Sequence, residues 1–318
     1  MIRLLIAVLT ALAAQAAAAQ SWPAKPVRII APFAPGGSAD TLGRIVAQKL
    51  TESLKENFIV ENRPGAGGAL GSDLVAKAAP DGYMLVVSGI ASHVLAPAIQ
   101  GTPYDPVRDF THVALFGGPP AVLAVNPQLK VKDLREFVAL AKSKPGALSY
   151  GSPGNGTQGQ LVAELFKQRA GVDLQHVPYK GASAAVADLI AGHIASVSTT
   201  LTTAATQIRA GRAVGLAISA EARLPEFPDV PTFAEMGYPD IVATVWFSLS
   251  GPANMPADIV SKLNAEVNRA LQLADVRERL KPEGIVPTPM DPKAFSAFVA
   301  AEVKRWAPIV KASGAKPG

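Results

Sequence analysis

Two segments of this 318-residue chain combine glycine with small hydroxyl residues in a way that suits capture of an anion. In the first, PFAPGGSAD (Pro32 to Asp40), Gly36 and Gly37 let the main chain turn tightly and come close to a ligand, and Ser38 and Asp40 are residue types that cap a helix. In the second, YGSPGNGTQ (Tyr150 to Gln158), the turn is formed by Ser152, Gly154, Gly156 and Thr157. Unpaired N–H groups and the positive end of a helix dipole at such turns attract a carboxylate or phosphate. An ordinary strand-to-helix connection has the same local composition, so a single loop leaves both readings open.

Each loop is flanked by the elements it needs. Val27 to Phe33 is apolar and β-branched enough for a buried strand, and Leu42, Ile45, Val46, Lys49, Leu50 and Leu54 recur at helical spacing. Around the second loop, LSYGS reads as a strand, and Leu161, Leu165 and Phe166 share a helix face. Further strands are expected at FIVEN, YMLVVSG, HVALFGG, AVLAVN, LQHVPY, AVGLAISA and TVWFSLSGP. Three helices close the chain, and in the last of them Phe295, Phe298, Val299, Val303 and Trp306 have the spacing of a packing face. The β-α-β-α order implies mainly parallel sheets covered by helices, with a ligand beyond the carboxyl ends of the strands. The length suits two domains of ~150 residues. Gly117-Gly118-Pro119-Pro120 marks a hinge or crossover between them, and Thr244 to Pro252 is placed to bring the chain back. Another glycine run, Gly65 to Gly71, misses the dinucleotide spacing by one residue and reads as a close-packed loop before a helix.

Composition narrows the classes. Hydrophobic residues make up 49% and charged residues 17%, and the formal net charge is +5. Removing the first nineteen residues, whose only charge is Arg3, leaves +4. With no Lys/Arg run and 6% aromatics, nucleic-acid binding has little support. MIRLLIAVLTALAAQAAAA has the charge, apolar stretch and small-residue end of a secretory signal, cleaved near Ala19, and its strongly apolar part is shorter than the ~20 residues of a membrane-spanning helix. Absence of cysteine excludes disulfides, thiolate nucleophiles and a lipid-modified N-terminal cysteine. A periplasmic protein free in solution is therefore expected. A secreted hydrolase is the rival class. The nearest elbow, Gly181-Ala182-Ser183-Ala184-Ala185, lacks its closing glycine, and all four histidines precede residue 194. His93 and His176 read as hydrogen-bonded strand-end residues, His112 as a strand-start residue and His193 as a helix-end one. No catalytic residue, cofactor or metal is expected.

The motifs WPAKPVRIIAPFAPGGSADTLGR, VENRPGAGGALGSDLVAKAAPDGY, YDPVRDF, YGSPGNGTQGQL, HVPYKG and AEVKRWAPIVKASG together resemble the Bug-type solute-binding proteins of tripartite tricarboxylate transporters, over almost all of the chain after residue 19. The resemblance implies an α/β, two-domain periplasmic-binding-protein (Venus flytrap, type II) fold, with a discontinuous first domain at 20–122 plus 246–318 and a second at 123–245. It implies a monomeric receptor that closes on a small carboxylate, a dicarboxylate or an aromatic acid, and delivers it to membrane permease subunits. It further implies that Phe33, Gly37 and Ser38 cover and hold one carboxylate beside Ser88 and Ala91, and that Ser152, Gly156 and Thr157 face them. Neutral donors hold an anion without burying a cation. At roughly 1.5–3 kcal/mol per charge-assisted bond, a few support micromolar binding, about −8 kcal/mol. Lys180 reads either as an extra counter-charge or as a solvated strand-end lysine. Many relatives have Met-Phe-Asp where this chain has Val197-Ser198-Thr199. With Thr199 in place of the acid, the site lacks a partner for an ammonium group, so a carboxylate without an amino group is expected. A receptor that presents its ligand to a signalling partner would share these features.

Overall fold

The computed structural model describes residues 22–33, 35, 38–179, 181–281 and 284–314. The expected signal segment, Gly37 and Lys180 lie outside the described residues. Up to the middle of the chain the elements are β1 (Val27–Ala31), α1 (Ser38–Leu54), β2 (Phe58–Asn62), α2 (Ala69–Ala76), β3 (Met84–Gly89), α3 (Ala96–Gln100) and β4 (Phe110–Gly117). The next run is β5 (Ala121–Val125), α4 (Leu134–Ser143), β6 (Ser149–Ser152), α5 (Gln158–Ala170), β7 (Gln175–Pro178), α6 (Ala182–Ala191), β8 (Ser196–Thr200), α7 (Leu201–Arg209) and β9 (Val214–Ile218). After a long passage, β10 (Phe247–Pro252) is followed by α8 (Ala257–Gln272), α9 (Ala274–Leu280) and α10 (Pro292–Ser313). No helix among the described residues is long and apolar enough to cross a membrane.

The strands form two five-stranded sheets, ordered β2-β1-β3-β10-β4 and β7-β6-β8-β5-β9. The expectation of mainly parallel sheets needs correction. β1 pairs in parallel with β2 and β3, and β6 with β7 and β8, but every pairing made by β10 or β5 is antiparallel. These two are the first strands laid down after each passage between sheets. They arrive without the helical crossover that a parallel neighbour requires, so their direction is free to reverse.

Burial explains the rest. β5 is buried at every residue, and in α1 the stripe Leu42, Ile45, Val46 and Leu50 closes over the first sheet together with Ile259, Leu263, Val267 and Leu271 of α8. In α10, Phe295, Val299 and Trp306 are fully buried in a cluster that also holds Leu115 of β4 and Leu161 and Leu165 of α5, so this helix packs against material from both halves of the chain. The passages between the sheets run side by side: Val245 N–H donates to Pro119 O at 2.9 Å, and Pro120 bridges Thr244.

His93 is not at a strand end. It lies in a π-helical turn, Ala91–Leu95, fully buried, with its ring 4.3 Å from that of Phe110 and 5.9 Å from that of His112. His112 Nε2 donates to Pro106 O at 3.1 Å, leaving Nδ1 to accept from Ser250 Oγ at 3.1 Å. Burial pushes the His112 pKa down to about 4, a hydrogen bond to Pro106 opposing it, and burial followed by the neighbouring His112 lowers His93. Both rings are neutral in the native state but take protons once unfolded, so their contribution is complete above pH 6.5 and is lost as pH falls from there through 4. Urea unfolding at pH 7, 5.5 and 4 is expected to show a decline worth roughly 3 kcal/mol from His112. The decline should shrink in His112→Gln.

Candidate functional site

A cavity of about 730 Å³ lies between segments that follow strands of both sheets. From the first sheet come Phe33 after β1, Ser38 and Ala39 at the start of α1, and Ile90 and Ala91 after β3. From the second come Pro153, Asn155, Gly156 and Thr157 after β6, Gln158 and Gly159 at the start of α5, Gly181 after β7, and Thr200 ending β8. All of these stand at carboxyl ends of strands or amino ends of helices, where an open α/β sheet holds its ligand. Helices of 17 and 13 residues therefore begin at this cavity, one beside each sheet. Their positive dipole ends and spare N–H groups make it attractive to an anion. Leu95, Ala96, Ile99, Val245 and Phe247 add an apolar wall. No described lining residue is charged.

The first loop is held from outside the cavity. Asn62, the last residue of β2, donates from Nδ2 to Phe33 O at 3.0 Å and to Asp40 Oδ1 at 2.9 Å, and Arg44 pairs with Asp40, also at 2.9 Å. The carboxylate of Asp40 is thus engaged behind the first turn of α1, and Ser38 and Ala39 face the cavity. The second loop is tied by its own side chains. Thr157 caps α5, its Oγ1 accepting from Gln160 N at 3.4 Å and donating to Gly154 O at 2.7 Å. Gly156 N–H donates to Gln160 Oε1 at 2.7 Å. The Gln160 amide then donates to His176 Nδ1 at 3.3 Å, which leaves His176 Nε2 to donate to Ser152 Oγ at 2.7 Å. Burial holds the His176 pKa below its ordinary value, so the ring is neutral at pH 7, and it stacks on Tyr150 with centroids 4.8 Å apart. Thr157→Ala removes the cap and should lower stability by about 1 kcal/mol in urea melts, with the loss centred on α5.

The candidate residues divide by position. Phe33, Ser38, Ala91, Gly156 and Thr157 come together on the cavity. Ser88 stands behind the wall, its Oγ 2.7 Å from Ser248 Oγ and 2.8 Å from Ser250 Oγ. Ser152 is fully buried beneath its loop, bonded to His176 and to Gly154. Thr199 is fully buried beside Thr200, the residue that lines the cavity, and its Oγ1 has no hydrogen-bond partner among the described residues. Gln158 is 5% exposed and its amide is likewise unpartnered among the described residues, so this end of the cavity keeps hydrogen-bonding capacity that the protein does not use.

The apolar wall escapes sequence reading. Ile90 and Leu95 are five residues apart, a spacing that helical periodicity overlooks and that the π-helical turn at Ala91–Leu95 brings onto one face. Val245 and Phe247 alternate with Trp246, a strand signal that does not say which face meets the cavity.

The model of the tripartite tricarboxylate transporter family receptor matches residues 42–315. Protein BugT of Bordetella pertussis is 38% identical over 316 residues, which is 98% of this chain and 96% of BugT. MatC from Rhodopseudomonas palustris, solved with bound malate, is 35% identical with a TM-score of 0.76, over 91% of this chain and all of that one. A second R. palustris protein, solved with adipate, is 32% identical with a TM-score of 0.81, over 93% of this chain and all of that one. The fold is thus the two-domain α/β fold of periplasmic binding proteins, with the cavity in the cleft.

Proposed function

Because this chain belongs to the tripartite tricarboxylate transporter receptor family, whose members are solute-binding receptors, we propose that it is a periplasmic receptor that closes on one small carboxylate and hands it to membrane permease subunits. The domains are taken as 20–122 plus 246–318 and 123–245, a boundary that falls within β5, whose first two residues already belong to the second sheet, and the chain acts as a monomer. The observation that carries this reading is the cavity itself: two helix amino ends of different domains converge on a space whose described lining is uncharged and largely apolar. Neutral donors suit a carboxylate, and the wall of Ile90, Leu95, Ile99, Val245 and Phe247 suits an aliphatic or aromatic body. The structures solved with adipate and malate support a dicarboxylate. With Thr199 and Thr200 at the end of β8 and no described acid on the lining, nothing there favours an ammonium group.

A thermal-shift screen of the mature protein against mono-, di- and tricarboxylates, aromatic acids and acidic amino acids tests this. A ligand present at ~100 times its Kd contributes about 2.7 kcal/mol and raises the melting temperature visibly. The expected response is confined to carboxylates without an amino group. A response to acidic amino acids alone would overturn the ligand class, and no response from protein shown to be unloaded would overturn the receptor reading.

A further inference from the structure

The C-terminal motif AEVKRW, Ala301 to Trp306, carries chemistry that the cavity does not use directly. Glu302 is 7% exposed, and its Oε2 accepts two indole N–H bonds, from Trp246 and from Trp306, each at 3.1 Å. Arg305 donates to the other oxygen at 3.3 Å, and also to the main-chain oxygens of Asp240, at 3.2 Å, and Val242. One turn of α10 therefore grips the passage that returns the chain from the second sheet to the first.

That passage forms part of the cavity. Val245 and Phe247 both line it, and Trp246 between them is 1% exposed, its ring edge-on to Phe295 and Phe298 of α10 at 6.2 and 5.5 Å. Trp246 O accepts the N–H of Ile90, another wall residue, at 3.2 Å. A buried carboxylate is a poor choice if the need is only to fill space, since apolar side chains of similar volume pack at least as well. What it adds is direction: one oxygen shared by two indoles fixes both rotamers and the register of the strand between them.

We infer that Glu302 is a positioning residue for the ligand cavity, setting the wall of Val245, Phe247 and Ile90 through the Trp246 indole; the inference rests on reading that cavity as the ligand site. The test uses Trp246→Phe, which keeps an aromatic ring and removes the donor, and Glu302→Gln. Amide hydrogen exchange is measured on the ligand-free variants, and adipate is then added as the probe. Exchange at 243–247 and 89–91 is expected to accelerate tenfold or more, with β1 and β2 unchanged and with both variants still unfolding in one cooperative transition. The thermal response to adipate should fall to less than half that of the wild type. Unchanged exchange in both variants, or equal acceleration throughout both sheets, would overturn the inference. A wild-type protein that responds to no carboxylate would instead overturn the ligand-site reading, and the ligand-free exchange would still decide whether Glu302 sets the wall.

Discussion

Replacing Ala91 by aspartate is expected to abolish carboxylate binding while leaving the ligand-free protein folded. Ala91 lines the cavity at the start of the π-helical turn, where the small side chain is half-buried. At an effective dielectric constant near 20, two negative charges ~4–6 Å apart repel by about 3–4 kcal/mol, a hundredfold or more in affinity. No cation among the described lining residues is available to offset the new charge. Ala91→Asn, similar in size but neutral, should lose far less. Calorimetry on both variants measures the difference, and equal losses would mean that shape rather than charge governs the site.

The second large effect is expected at the crossover between the domains. Gly117 has φ +97°, and a Cβ there would lie 1.9 Å from Val286 O; one on Gly118 would lie 2.0 Å from Val245 O. Both obstructing atoms are main chain, so neither moves aside as the end of a flexible side chain does. Adding ~1–2 kcal/mol for left-handed backbone to ~1–3 kcal/mol for overpacking gives about 2–5 kcal/mol of lost stability for Gly117→Ala, a large part of what a domain has. Chemical denaturation should show the midpoint fall accordingly. A Gly117→Ala protein as stable as wild type would show that the crossover is looser than its packing against Val286 implies.

These expectations also show what was legible in the chain. The helix starts at Ser38 and Gln158 could be read because their signals are local: Ser38, or Gly156 and Thr157, announce a helix start wherever they stand. The crossover at Gly117 and Gly118 was legible for the same reason. The sheet directions were not, because the reversal of β5 and β10 is set by how the chain passes between domains and not by residues within either strand. Ser88 and Ser152 are hydroxyls of the type that binds anions, yet their partners are Ser248, Ser250 and His176, far along the chain, and no local pattern forecasts those bonds. The apolar wall depended on a π-helical turn and on a tryptophan anchored by Glu302, 56 residues away.

The central claim, a neutral clamp for a carboxylate that carries no amino group, is tested most directly by calorimetric titration of the unloaded mature protein with matched pairs: adipate and 2-aminoadipate, glutarate and glutamate, phenylacetate and phenylalanine. The expected result is one-to-one binding near micromolar Kd by at least one simple carboxylate, with its amino partner at least tenfold weaker, about 1.4 kcal/mol. Amino partners that bind as tightly as the simple acids, or heat from none of the six, would contradict it.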